Sequence, residues 1–551
     1  MIRAMPPIGP STRAEQIDRL AAETFDVLIV GGGVTGAGCA LDAASRGLKT
    51  ALVERRDFAS GTSSKSSKLV HGGLRYLAQY EFGLTWEAAH ERDLLARLCP
   101  HLVRPLQFLY PVFRKGKESR FAAYGLAIYD VLSAVRGVPR HRRARAPRMK
   151  ELAPAIDTDR VVSAWTYWDA STDDARLVFE LIRAAIGFGA AAANYVPVDG
   201  FVHDANGRLA AAGVTDSRSG RSFEIRAKTI VNATGIWAGD VGTLEDPRTP
   251  IALRPAKGIH LMIPRERIAL GAACIVPSGA RDRRSLFLQP WADRVMLGTT
   301  DTEYDGPLDA PAVTEADVDY VLGGINRWMD VDLTRDDLVG AWAGLRPLRA
   351  AATTERTADL SRRHAITVSP GGLISVTGGK LTTFRRMARD AVDATCERLG
   401  VKRRSDTHRI RIGLTKPIGD VRRDVAELLR AAGTDPGHAA RLVETYGDLA
   451  VHVATLAAED PALAAPVAPG LPVTGAEIRW AATREMAVTL EDVLARRTRL
   501  SLTDRAGGLA AASIVADALG GDEALRQTEA AAYAAALAAE RGPAVPAPVS
   551  S

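Results

Sequence analysis

Between Phe25 and Glu54 the chain reads FDVLIVGGGVTGAGCALDAASRGLKTALVE, and this stretch constrains the fold more than any other. Phe25 to Val30 is an almost unbroken apolar, β-branched run, the pattern of a central strand buried on both faces of a parallel sheet. Gly31, Gly33 and Gly36 follow in the G-x-G-x-x-G register. The first allows a tight turn, the second leaves room for a pyrophosphate at the backbone, and the third lets the next helix pack on the strand. The free N–H groups at the start of that helix face the phosphate position. The helix is expected to end near Gly47, and a second strand, Thr50 to Val53, leads into Glu54, where a carboxylate accepts both ribose hydroxyls. A glycine turn alone is a weak signal, but strand, turn, helix, second strand and acid agree. The acid disfavours a 2′-phosphate, which leaves NAD or FAD.

A chain of 551 residues exceeds one core, so two or three domains are expected. The net charge of +6 suits anionic small molecules or an anionic membrane surface without establishing either, and nucleic acid is not required. Cys39, Cys99, Cys274 and Cys396 lack C-x-x-C spacing, so neither a disulfide framework nor a metal site is expected. Residues 1 to 24 carry no signal-peptide core, and no run approaches the ~20 apolar residues that span a bilayer. The expected location is the cytoplasm or the inner face of the cell membrane.

After Glu54 comes RRDFASGTSSKSSKLVHGGLRYLAQY, a loop without helical or strand period. The hydroxyls of Thr62, Ser63, Ser64, Ser66 and Ser67 and the Lys68 ammonium suit phosphate and ribityl oxygens, and the glycine pair at His71-Gly72-Gly73 marks a cofactor-side loop. Phe82 to Leu98 has a helical period, and RHRRARAPR, residues 140–148, reads as a solvated loop or as a contact with anionic lipid headgroups. Asp173 and Asp174 stand where carboxylates cap a helix. AKTIVNATGIWAG is another buried strand, its end at Asn232 to Gly235 lying over the nucleotide position. Residues 251 to 340 read as short antiparallel strands, the expected substrate domain. AWAGLRPL and the stretch to GGKLTTFRRMARDAV are expected to return to the first domain, with a strand at Leu373 to Val376, a turn at Gly378 and Gly379, and a helix from about Leu381.

Taken together, HGGLRYL, NATG, GLRPL and GGKLTTFR make the sequence resemble the FAD-dependent, quinone-linked glycerol-3-phosphate dehydrogenases, over about residues 25 to 520 including TYGDLA and REMAVTLEDVLARRT. The resemblance implies an α/β fold: a Rossmann-like FAD-binding domain, an interleaved α+β substrate domain of the D-amino-acid-oxidase type, and a C-terminal helical domain. The corresponding boundaries are a leader over 1–24, an FAD-binding domain over 25–399 with core segments at about 25–75, 170–250 and 340–399, a substrate domain at about 76–169 and 251–339, a helical domain over 400–525, and an Ala/Pro-rich tail over 526–551. FAD is then expected on Gly31, Gly33, Gly36, Glu54, Thr62, Ser63, Ser67, Lys68, Leu69, Gly72, Gly73, Gly235, Gly344, Gly379, Leu381 and Thr382. The phosphate and glycerol of the substrate are expected on Arg75, Tyr76, His260, Arg346, Arg362 and Lys380. The family usually has an acid at the position after Arg362, where this chain has Arg363, which leaves open which of the two reaches the phosphate.

On this reading glycerol 3-phosphate loses a hydride from C2 to flavin N5 and becomes dihydroxyacetone phosphate, with His260 and His71 as candidate bases and Arg346 in the catalytic set. The helix from about Leu381 turns a positive dipole end toward flavin N1. The partners implied are a quinone, an anionic membrane surface and a second copy in a homodimer. The alternatives are an O2-using oxidase of glycerol 3-phosphate, a related flavin amine oxidase, or a non-catalytic FAD-binding protein.

Overall fold

Five parallel strands form the centre of the first domain, hydrogen-bonded in the order Leu373–Thr377, Ser222–Asn232, Thr24–Val30, Thr50–Val53, Ala191–Ala193. The computed structural model describes residues 10–77, 80–133, 139–248, 250–279, 284–349, 363–521 and 523–545. Val30 is paired with Asn232 on one side and Val53 on the other, so three strands end level at the glycine turn. The unbroken apolar run is explained by the layers. Val27 and Ile29 meet helices Val34–Ser45, Asp174–Gly187 and Phe384–Leu399 on one face, while Leu28 and Val30 meet Ile17 and Leu20 on the other.

That second contact corrects the expectation of a separate leader. Residues Pro10–Ala22 form a helix that belongs to the first domain. Ile17 and Leu20 enter its core, and Arg13 donates to the Asn194 carbonyl and to Asp216 at 2.7 Å each.

The second domain is built on a sheet of ten strands. Its longest pairing joins Leu253–Pro264 to Gly340–Arg349, antiparallel from Leu253 opposite Arg349 to Met262 opposite Gly340. Gly340–Arg349 therefore does not return to the first domain as expected. Both its faces are covered, Ala341 and Ala343 by the second domain's core and Trp342 by a cluster with Met262 and Met296. The short strand Leu69–Val70 also joins this sheet, through Ser163–Ser171, so the cofactor-side loop bridges the two domains.

Beyond residue 400 the chain is helical, with two cores of its own. It docks through buried ion pairs. Asp57 accepts from Arg496 at 2.6 Å and from Arg497, and Arg176 grips Glu485 with both Nη atoms at 2.8 Å. The expected tail from residue 526 is largely a helix, Glu523–Arg541, which buries Tyr533 and Leu537. The Tyr533 hydroxyl donates to the Gly507 carbonyl at 2.7 Å.

Candidate functional site

The glycine turn is built as its spacing predicts. Gly31 has φ +109°, and an added Cβ there would stand 2.7 Å from the Ala233 carbonyl oxygen. One on Gly36 would collide with the Gly31 carbonyl, so the helix can lie this close to the strand only without a side chain. Gly33 is the N-cap of helix Val34–Ser45. The Val34 N–H donates to Ser63 Oγ at 2.9 Å, so the serine-rich loop folds over the helix start, and a Cβ on Gly33 would come 3.1 Å from that oxygen. Glu54 accepts from the Gly32 N–H at 2.7 Å and the Arg56 N–H at 3.0 Å. Burial pushes its carboxyl above the ordinary range, against the pull of those two amides.

The next part of the loop is held from the first and second domains alike. Thr62 Oγ1 donates to the Leu345 carbonyl at 2.7 Å, and Gly344 lies so close to the Lys65 carbonyl that a Cβ would collide with it. The Gly72 N–H donates to Asp169 at 2.8 Å, and the same carboxylate oxygen takes Arg92 at 2.7 Å and the Tyr129 hydroxyl at 2.8 Å. Thr382 Oγ1 reaches the His71 carbonyl at 3.2 Å, bringing HGGLRYL and GGKLTT together. Lys380 Nζ lies 3.5 Å from the centroid of the Tyr76 ring, a cation–π contact, and the His71 and Tyr76 rings are 6.2 Å apart. Gly378 and Gly379 both have positive φ. The expected helix from Leu381 starts as a 3₁₀ turn, Leu381–Thr383, and becomes α-helical at Phe384.

His260 and Arg346 lie on one face of the second sheet. His260 is opposite Trp342, Gly258 opposite Gly344, and Ala256 opposite Arg346, and the room left by the two glycines is taken by the Arg346 guanidinium and the Lys65 backbone. The Arg346 guanidinium lies over Gly258, donating through Nη2 to Thr299 Oγ1 and the Thr300 carbonyl at 3.1 Å each, with Asp301 at 3.4 Å from Nη1. His260 is buried, stacked on Trp342 at 5.2 Å and 16°, with Nε2 2.8 Å from Ser67 Oγ. Its Nδ1 has no hydrogen-bond partner among the described residues. Burial first, then the nearby Arg346 and Lys68 cations, hold this imidazole well below the ordinary histidine range, so it is neutral at working pH.

Among the expected residues, Lys68 is held by protein groups and not presented to a phosphate. The Lys68 ammonium is fully buried, 2.9 Å from Asp174 Oδ1 and 3.1 Å from the Ser64 carbonyl. Burial and the neighbouring Arg499 push it down to about 8, with Asp174 working against them. Arg75 is exposed on the short helix Leu74–Leu77. Arg363 is exposed and donates to Glu81 at 3.0 Å, while Arg362 lies outside the described residues. Sequence reasoning missed Trp342, the Thr299-Thr300-Asp301 turn and Asp169. A Gly-Thr-Thr-Asp sequence at a strand end was the one available signal.

Beside these loops lies a cavity of about 620 Å³, within the usual range for small-molecule sites. Gly61, Thr62, Trp237, Gly344 and Leu345 line it, together with Leu490, Tyr533 and Glu540. The residues fit a dinucleotide flavin: Gly33 keeps the helix start bare, Glu54 stands across the turn, and Gly235, at φ +63°, opens on space that a Cβ would enter freely. Among the described residues no cluster could hold a metal.

Residues 26–385 match the family described as FAD dependent oxidoreductase, and residues 407–529 the C-terminal domain of alpha-glycerophosphate oxidase. Glycerol-3-phosphate dehydrogenase 2 of Mycobacterium tuberculosis is 39% identical over 546 residues, 97% of this chain and 91% of its own. The mitochondrial glycerol-3-phosphate dehydrogenase of Homo sapiens is 33% identical, covering 89% of this chain and 70% of its own. Among solved structures, the glycerol-3-phosphate dehydrogenase from Bacillus halodurans complexed with FAD superposes with a TM-score of 0.79 at 28% identity, over 97% of this chain and 98% of that one.

Proposed function

The chain belongs to the FAD-dependent glycerol-3-phosphate dehydrogenases, and from that premise we propose that it oxidises sn-glycerol 3-phosphate to dihydroxyacetone phosphate and passes the electrons to a quinone. The observation that carries the assignment of roles is the shared sheet face: a neutral imidazole and a guanidinium fork, separated by two glycines, facing the cofactor-side loop.

Bound FAD supplies the hydride acceptor. Gly31, Gly33, Gly36 and Glu54 would hold its nucleotide half, and Gly72, Gly73, Gly379, Leu381 and Thr382 its flavin half. The chain's own residues do the rest. Arg346, already oriented by Thr299 and Thr300, binds the substrate phosphate through its fork, a geometry that matches phosphate oxygens better than an ammonium does. Lys380, beside Tyr76, adds a second cation on the His71 side. His260 Nε2 accepts the C2-hydroxyl proton by relay through Ser67: the Ser67 hydroxyl proton passes to Nε2 as Ser67 Oγ takes the proton from the substrate. Burial keeps this imidazole neutral and able to take a proton, while lowering its strength as a base.

For the quinone, the support is a surface. Helix Lys117–Leu132 leaves Tyr124, Ile128 and Val131 exposed on one side, Tyr124 at 71% and Val131 at 80%, and Phe82 and Trp86 of helix Phe82–Leu98 are exposed, as is Tyr80 just before it. The basic run is tied to the same helix by His141, whose Nδ1 lies 2.6 Å from Asp130, and Arg140, Arg142, Arg143, Arg145 and Arg148 stay exposed. Apolar and cationic groups side by side suit peripheral attachment to an anionic bilayer. No helix among the described residues is long and apolar enough to cross a membrane.

The deciding experiment for the base is His260→Asn in anaerobic stopped flow. Flavin reduction by glycerol 3-phosphate should slow by roughly 10²–10⁴-fold. A normal reduction rate would remove His260 from the role.

A further inference from the structure

Ser67, whose hydroxyl holds the His260 imidazole, sits between two residues tied to one carboxylate. Asp174 Oδ2 accepts from both the Ser66 N–H, at 3.0 Å, and the Ser66 hydroxyl, at 2.6 Å. Its Oδ1 accepts from Lys68 Nζ at 2.9 Å, and the Lys68 N–H donates to Ser66 Oγ at 3.0 Å. Lys68 is in the left-handed region, φ +51°, a conformation a lysine adopts only when surrounding contacts impose it. Its ammonium also lies 5.1 Å from the Trp342 ring, the same ring that stacks on His260.

Capping does not account for Asp174. The N-cap of helix Asp174–Gly187 is Asp173, which accepts the Arg176 N–H at 3.1 Å. Asp174 instead meets Arg499, which reaches in from the C-terminal helical domain and binds Asp173 at 2.8 Å and Asp174 with the same nitrogen. Asp174 and Lys68 are fully buried and Arg499 almost so, an arrangement that is stable only with every partner present.

We propose that Asp174 and Arg499 are positioning residues for the reaction: they fix the Ser66–Lys68 turn so that the Ser67 hydroxyl meets His260 Nε2, which makes the alignment of the base depend on the docked C-terminal domain. This rests on the reading of His260 as the proton acceptor. Neither residue touches the substrate in this scheme, so their loss acts on the proton-transfer step and leaves binding intact. Misplacement of a reacting group by about 1 Å costs on the order of 100-fold in rate.

The test uses flavin-loaded full-length protein in anaerobic stopped flow, which separates the limiting reduction rate from the substrate dissociation constant. Asp174→Asn and Arg499→Met should reduce flavin on the order of 100-fold more slowly, with the dissociation constant for glycerol 3-phosphate within about twofold of the parent. Arg499→Lys should recover part of the rate by restoring the cation. Ser67→Ala, which removes one hydroxyl from a partly exposed loop, should show the same split and decides the matter if the buried-charge variants do not fold. Parental reduction rates in Ser67→Ala while His260→Asn is slow would overturn the positioning role alone. A normal rate in His260→Asn would overturn the base assignment and this inference with it.

Discussion

Replacing Arg346 by alanine should weaken catalysis on glycerol 3-phosphate far more than any turnover of unphosphorylated glycerol. A single opposite charge at ~4 Å is worth about 4 kcal/mol at an effective dielectric near 20. Two features reduce that figure. The side chain is 23% exposed, so solvent screens it, and Asp301 at 3.4 Å already draws on the same charge. A further loss works the other way, because Thr299 Oγ1 and the Thr300 carbonyl lose their donor when the guanidinium goes. A net cost of about 2–4 kcal/mol follows, roughly 30- to 1,000-fold in kcat/KM. Arg346→Lys keeps the charge but not the fork and should fall between the two. Steady-state kinetics with both substrates, on variants with full flavin content, decide the point. Equal losses on glycerol and glycerol 3-phosphate would mean that Arg346 supports the sheet and does not read the phosphate.

Gly33→Val should yield a colourless protein, since the new side chain would stand at the helix start beside Ser63 Oγ; full flavin content on purification would refute the placement of the pyrophosphate. Burial alone would raise the Asp57 carboxyl, but Arg497 and Arg496 hold it below the usual range. A depressed carboxyl stabilises the protein above its unfolded pKa and loses that contribution as pH falls through the folded value, so docking of the C-terminal domain should weaken below about pH 4. Asp57→Asn should cost about 3–5 kcal/mol at neutral pH, read from urea unfolding; a cost below about 1 kcal/mol would show that the buried arginines find other partners. Val131→Asp should release the protein from anionic vesicles, and high salt should release the parent in part; vesicle binding indifferent to both would remove the attachment surface.

Elements whose determinants are local were legible in the sequence. The glycine turn and its flanking strands match their expected limits within a residue, and Phe82–Leu98 is helical over the expected span, because each is written in a contiguous pattern. What depends on remote partners was not. Gly340–Arg349 carries nothing in its own sequence that names its neighbour, Leu253–Pro264, some eighty residues earlier. In Pro10–Ala22 the buried positions include Arg13 and Gln16 beside Ile17 and Leu20, so half of the inward face is polar and its period is masked. Lys68 sits in a loop rich in phosphate-type ligands, yet its charge is taken by Asp174, over a hundred residues away. At the last helix, the Ala/Pro-rich ending drew attention from Tyr533 and Leu537, four residues apart and both buried.

The central claim, a flavoenzyme that oxidises glycerol 3-phosphate for a quinone, is tested most directly by anaerobic titration of the purified protein followed by defined acceptors. Added sn-glycerol 3-phosphate should bleach the flavin absorbance in proportion to substrate, and a soluble quinone analogue, not NAD⁺, should restore it rapidly. A flavin that stays oxidised in the presence of glycerol 3-phosphate would contradict the substrate assignment, and restoration by NAD⁺ would contradict the acceptor.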